Sequence, residues 1–63
     1  MAQLLLRIPE AAERLGISRS TFYRLLDQGE ITPIHIGASV RVSVQALEAY
    51  VERLQRDARA RRL

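Results

Sequence analysis

The 63-residue sequence contains no cysteine, tryptophan or lysine, and it has one histidine, one phenylalanine and two tyrosines. Without cysteine the chain can form no disulfide framework, no cysteine-based zinc site and no thiolate nucleophile. A single histidine cannot build a histidine-rich metal centre, so we expect no metal. The longest apolar runs, such as Leu4 to Leu6, are too short for a transmembrane span or a signal-peptide core, which favours a cytoplasmic location.

The small size of the chain limits what it can do chemically. A domain of about 60 residues buries only about 60% of the surface that its unfolded form exposes, so its core is thin. Such a core does not favour the deep, enclosed pocket in which most enzymes hold several catalytic groups. The sequence shows no nucleophile–base pair, metal cluster or phosphate-binding loop. We therefore expect one domain over residues 1–63 that binds a partner, without enzymatic activity or a cofactor.

Charge is distributed unevenly along the chain. All ten basic residues are arginine, the formal net charge is +3 and the pI is about 10.6. Arginines and acids cancel over residues 1–50, so the whole excess belongs to residues 51–63. The pI suggests nucleic acid as a partner, and arginine makes bidentate contacts to phosphate and guanine that lysine cannot make. The net charge of residues 1–50 is zero, so if this part of the chain binds DNA, it must do so through a charged face.

Two short helices are predicted in the first half of the chain. The first covers residues 8–15, with Pro9 in its first turn, and Gly16 closes it. The second follows the N-cap candidate Ser18 and is closed by Gly29. A short glycine-containing turn between two helices is typical of a helix-turn-helix. The buried faces are supplied by Ile8, Ala11, Ala12, Leu15, Phe22, Leu25 and Leu26.

A hairpin and a third helix are predicted in the second half. Apolar and polar residues alternate over residues 31–42, which predicts two strands with one buried face. A three-residue turn over residues 37–39 would pair Ile34 with Val42, His35 with Arg41 and Ile36 with Val40. The third helix follows the N-cap candidate Ser43, carries an apolar face as far as Leu54 and runs to about residue 60 before it frays. Its basic end, residues 55–63, is the arginine tail.

The order of helix, tight turn, helix, hairpin and helix predicts a mainly α winged helix-turn-helix, in which the hairpin is the wing. A recognition helix enters the major groove near its N-terminal end, where arginines and hydroxyls contact bases and phosphates. The predicted DNA-binding residues are Ser18, Arg19, Ser20, Thr21, Tyr23 and Arg24 on the second helix and His35, Ser39 and Arg41 on the wing. Arginines of the basic C-terminal part, residues 51–63, that could add contacts are Arg53, Arg56, Arg59, Arg61 and Arg62.

The segment IPEAAERLGISRSTFYRLL at residues 8–26, followed by GEI at residues 29–31, resembles the excisionase-type DNA-binding domain. The shorter segments IG, VRV and LEAYV continue the resemblance, which covers about residues 5–54. It implies the winged helix-turn-helix of MerR-like regulators, with the second helix in the major groove and the wing along the adjacent minor groove or backbone. Many relatives carry basic residues at the wing tip, where this chain has Ala38 and Ser39.

The resemblance implies a sequence-specific, double-stranded DNA-binding protein of a bacterium or phage. We expect an excisionase that binds neighbouring sites cooperatively, bends the DNA and acts with an integrase or another recombinase. One alternative is a small MerR-like transcriptional regulator, and an integrase gene beside the coding sequence would argue against it. A second alternative is a protein-interaction module that never touches DNA, and a steep salt dependence of DNA binding would exclude it. No effector-sensing role is expected.

Overall fold

A computed structural model describes residues 4–61 of the chain. The elements of this part of the chain, in order, are β1 (Leu5–Leu6), α1 (Ile8–Leu15), α2 (Arg19–Asp27), β2 (Ile34–Ile36), β3 (Ser39–Ser43) and α3 (Val44–Ala60). The three strands form one antiparallel sheet in the order β1-β3-β2, and the three helices accompany it. This arrangement confirms the predicted winged helix-turn-helix and adds one strand, β1, to the predicted hairpin.

Helices α1 and α2 end in the same way. Gly16 and Gly29 follow them with φ angles of 73° and 75°. At each end the glycine N–H donates to the carbonyl three residues earlier, and the next N–H donates to the carbonyl five residues earlier, at 3.0–3.1 Å. This is the Schellman motif, which glycine favours because a side chain is strained at positive φ. The two predicted glycine ends are confirmed.

Serine side chains fix the starts of α2 and α3. The Ser18 Oγ accepts a hydrogen bond from the Thr21 N–H at 3.2 Å, and the Ser43 Oγ accepts one from the Ala46 N–H at 2.9 Å. Each bond satisfies one of the backbone donors that a helix start leaves without an intrahelical partner. Both predicted N-caps are confirmed, and α3 reaches residue 60 as expected.

The core is formed by eight apolar side chains contributed by β1, all three helices, β3 and the loop before β2. Leu6 and Val42 are register partners in neighbouring strands and are both fully buried. Ile31 is also buried, although the spacing of apolar residues in the sequence did not predict its burial. Leu4, at the start of the leucine run, is 82% exposed. The buried set is Leu6, Ile8, Ala11, Ala12, Phe22, Ile31, Val42 and Leu47.

The register predicted for the hairpin is wrong by one residue. The pairs are Ile34 with Arg41, His35 with Val40 and Ile36 with Ser39, so the turn has two residues. Gly37 occupies the first turn position at φ 60°, which suits the two-residue type II′ hairpin turn. A slip of one residue moves every side chain of a strand to the other face. His35 therefore shares a face with Val40, and both isoleucines of β2 lie on the outer face.

Within residues 4–61, no helix has the length and apolar character needed to cross a membrane.

Candidate nucleic-acid interface

One side of α2 is a solvent-exposed polar strip made of Arg19, Ser20, Tyr23 and Arg24. Phe22 occupies the opposite side and is fully buried, which fixes the rotation of the helix about its axis. Two guanidinium groups, a hydroxyl and a phenol therefore project together over about two helical turns. These groups can bind base edges and phosphate oxygens. The structure thus brings together four of the six predicted residues of the second helix.

The remaining two, Ser18 and Thr21, are engaged with each other at the start of α2. Their hydroxyl oxygens lie 2.9 Å apart, in addition to the cap bond from the Thr21 N–H. Thr21 is half-buried, whereas Ser18 is exposed. The pair therefore holds the N-terminus of α2, from which the polar strip begins. A phosphate contact by Ser18 stays a prediction.

Asp27 was not among the DNA-binding residues predicted from the sequence. It is the last residue of α2 and lies on the exposed side of the helix. It follows Tyr23 by four residues and Arg24 by three, so it belongs to the same helical face. Among the described residues, no ion pair within 4 Å joins it to Arg24. A carboxylate here disfavours phosphate at the C-terminal end of the strip, and it can accept a hydrogen bond from a cytosine amino group. Its spacing, three residues after Arg24 and four after Tyr23, is the sequence signal that could have identified it.

The wing, residues 34–43, places its predicted contacts on two different faces. Ser39 and Arg41 lie on the outer face, whereas His35 lies on the face of Val40. Arg41 is half-buried, and its Nη1 donates to the carbonyl of Val40 at 2.9 Å. Ile34 and Ile36 share the outer face, and Ile36 is 56% exposed. The outer face of the wing is therefore largely aliphatic and carries one guanidinium group.

Arg53 is held against the body of the domain. Its Nη2 donates to the Glu30 carbonyl at 2.9 Å and to the Glu30 Oε1 at 3.1 Å. Its guanidinium carbon lies 5.5 Å from the centre of the Tyr50 ring, a cation–π distance. These contacts tie α3 to the residues that follow α2. Within residues 4–61, no ion pair within 4 Å joins Arg53 to Asp57, four residues further along α3.

The other tail arginines that the structure describes are exposed: Arg56, Arg59 and Arg61. Arg62, the fifth predicted tail contact, lies outside the described residues. Within residues 4–61, no group of three histidine, aspartate or glutamate side chains is placed to hold a metal ion.

We expect Arg53→Gln to lower the free energy of unfolding by about 0.2–1 kcal/mol, because half-exposed ion pairs contribute little even with an aromatic neighbour. Urea unfolding followed by circular dichroism measures this. Arg56→Gln is the matched control and should change stability by less than about 0.5 kcal/mol. If Arg53 instead binds DNA, Arg53→Gln will leave stability unchanged and reduce the salt dependence of DNA binding.

The fold and the polar strip define a class of protein. A second helix that is anchored by its apolar side and exposes arginines and hydroxyls, followed by a β-wing, is a winged helix-turn-helix DNA-binding domain. Double-stranded DNA is the partner that this surface fits.

The comparison with known families places the chain within this class. A family model described as a helix-turn-helix domain matches residues 5–55. The chain belongs to this family, the excisionase-type helix-turn-helix DNA-binding domains. The resemblance seen in the sequence is therefore confirmed.

Two curated relatives support the assignment. A Saccharopolyspora erythraea protein named "Probable excisionase" is 38% identical over 52 residues, which cover 82% of this chain and 53% of the relative. A Mycobacterium tuberculosis protein named "Putative DNA-binding protein Rv0500A" is 35% identical over 48 residues, which cover 76% of this chain and 62% of the relative. The chain thus spans about half to three fifths of the length of these relatives. No solved structure matches it significantly.

Proposed function

We propose that the chain is a sequence-specific DNA-binding protein whose α2 enters the major groove, with the wing along the adjacent minor groove or backbone. The observation that supports this most is the polar strip, which starts at the capped end of α2, where recognition helices contact bases. Arg19 and Arg24 are proposed to contact bases or phosphates, and Ser20 and Tyr23 the sugar–phosphate backbone. The domain acts by binding, without catalysis.

The biological role that we propose is that of an excisionase, an architectural protein that acts with an integrase or another recombinase. The relative named as an excisionase supports this role. Several copies would bind neighbouring sites and bend the DNA so that the recombinase can assemble. Bending a site of 20–30 base pairs costs about 1–6 kcal/mol, which protein contacts must offset. A domain with a short polar strip and a weakly charged wing needs neighbouring copies to do this.

Transcriptional regulation is the second candidate role. It is favoured by the relative whose name specifies DNA binding alone. An excision assay separates the two roles: the chain is added to a candidate recombinase from the same genome and to a DNA substrate carrying both attachment ends. A marked increase in excised product supports the excisionase. Unchanged excision, together with altered transcription from a promoter that contains the selected site, supports the regulator.

Selection of bound sequences from a random DNA pool tests DNA binding directly. We expect a defined site that recurs at close spacing, and binding that weakens steeply with salt. About four phosphate contacts would give a slope near −3.6 in log K against log salt, a loss of about 150-fold between about 50 and 200 mM. A pool from which no DNA is retained, or affinity that salt does not change, would favour a protein-interaction module.

A substitution at the wing tip is expected to increase the affinity for DNA. Ala38 is the second residue of the hairpin turn and has no positive φ, so a longer side chain fits there without backbone strain. We expect Ala38→Lys to strengthen DNA binding several-fold at low salt and to steepen the salt slope by about 0.9, the value of one added phosphate contact. Ala38→Gln is the uncharged control. Equal effects of the two substitutions would place the wing tip away from the phosphates.

A further inference from the structure

Asp27 is the one acidic residue of α2, and it lies near the middle of the exposed side of that helix. At about 100° per residue it is about 140° around the helix axis from the buried Phe22. Arg19 lies about 80° to one side of it and Arg24 about 60° to the other. The negative charge therefore lies between the two guanidinium groups of the polar strip.

No contact in the described part of the chain compensates the charge of Asp27. Within residues 4–61, its carboxylate takes part in no side-chain hydrogen bond and no ion pair. It also lies at the C-terminal end of α2, where the negative end of the helix dipole destabilises an anion, and aspartate is a weak helix former. An exposed residue that local stability disfavours is typical of a functional position.

The chemistry of a carboxylate indicates which part of DNA it can contact. It repels phosphate oxygens, and it accepts hydrogen bonds but donates none. In the major groove, guanine presents acceptors, thymine presents an acceptor and a methyl group, and adenine presents its amino group beside the acceptor N7. Cytosine alone presents the N4 amino group with no acceptor of the same base next to it. A carboxylate therefore fits cytosine best.

Helix α2 is short enough for Asp27 and Arg24 to reach base edges together. The helix rises about 12 Å from Arg19 to Asp27, which is close to the width of the major groove, about 12 Å. Asp27 follows Arg24 by about 4.5 Å along the axis, compared with about 3.4 Å between successive base pairs. The two side chains thus suit neighbouring base pairs.

We propose that Asp27 determines sequence specificity by accepting a hydrogen bond from the N4 amino group of a cytosine in the major groove. This inference rests on the proposed function, which places α2 in that groove. Where Arg24 contacts guanine, the two bases belong to neighbouring base pairs. The carboxylate lowers the affinity for DNA in general and raises discrimination, because only a cytosine offsets its repulsion from phosphate.

Binding of the duplex enriched from the random pool, and of its single-base variants at one fixed salt concentration, tests the role of Asp27. At one position the original chain should favour cytosine by about 5- to 150-fold, the effect of one mismatched base pair. Asp27→Asn should move the preference at that position to adenine, because an amide pairs with the adenine N6 and N7. Asp27→Ala should remove the preference and bind random-sequence DNA more tightly than the original chain does.

Asp57→Asn is the matched control, because it makes the same chemical change at an exposed position of α3. It should leave the preference at every position unchanged, and the circular dichroism of all three variants should match that of the original chain. A preference that neither Asp27 variant alters overturns the inference and leaves the proposed function intact.

A change confined to the base pair that Arg24 reads also overturns the inference, since Asp27 would then act by orienting the Arg24 guanidinium. If the original chain enriches no site from the pool, the proposed function fails and this inference fails with it.

Discussion

Replacing Phe22 with alanine is expected to remove a large part of the protein's free energy of unfolding. Phe22 is fully buried and is the largest side chain in the core. A Phe→Ala change in a core costs about 3–5 kcal/mol, since it removes apolar contacts and leaves a cavity. A 63-residue domain has only about 3–9 kcal/mol of stability at about 0.05–0.15 kcal/mol per residue. Thermal and urea unfolding followed by circular dichroism measure the loss.

The neighbouring aromatic residue is the matched control. Tyr23 projects into solvent from the other side of α2, so Tyr23→Ala should change stability by less than about 1 kcal/mol. The same variant should weaken DNA binding, because the phenol belongs to the polar strip. Equal destabilisation by the two substitutions would mean that α2 is rotated about its axis, and the strip would then contain different residues.

Replacing Arg24 with alanine is expected to lower affinity for the selected DNA site by about 5- to 150-fold, equivalent to about 1–3 kcal/mol. Arg24 is the last residue of the polar strip and is exposed, so its guanidinium is available for a bidentate contact to guanine. Loss of that contact should also relax the preference at one base pair. Binding to a set of single-base variants of the site, at one fixed salt concentration, measures both effects.

Two comparisons distinguish base reading from a general charge effect. Arg14→Ala removes an exposed arginine of α1 that lines a groove between α1 and α3. This variant should leave the sequence preference intact. An Arg24→Ala protein with a shallower salt slope and an unchanged preference would make Arg24 a phosphate contact instead. If affinity for the selected site does not change at all, Arg24 lies outside the interface.

Because the wing carries little charge, we expect α2 to contribute more to DNA binding than the wing does. The only guanidinium on the outer face of the wing, among the described residues, belongs to Arg41, which is half-buried and bonded to a backbone carbonyl. The exposed isoleucines beside it can pack against sugars but provide no charge. Under the proposed function, most phosphate contacts would then come from α2 and from neighbouring copies, so added charge at Ala38 should raise affinity measurably.

The sequence alone determined the helices and their ends. The apolar spacing in α1, the serine caps at Ser18 and Ser43 and the glycine ends at Gly16 and Gly29 are all confirmed. Each of these signals acts within about one helical turn, because a cap or a Schellman bond joins residues only three to five positions apart. The buried position of Phe22 in α2 follows from the same local period, and it leaves the polar strip on the opposite side.

Tertiary structure decided everything that depends on distant residues. The strand β1 exists because Leu5 and Leu6 pair with Ser43 and Val42, and Arg53 reaches Glu30 across 23 positions. The wing register depends on a two-residue turn at Gly37, and a pattern with period two cannot distinguish registers when apolar residues occur on both faces. Sequence thus determined which helix can face DNA, whereas packing decided which wing and tail side chains can join it.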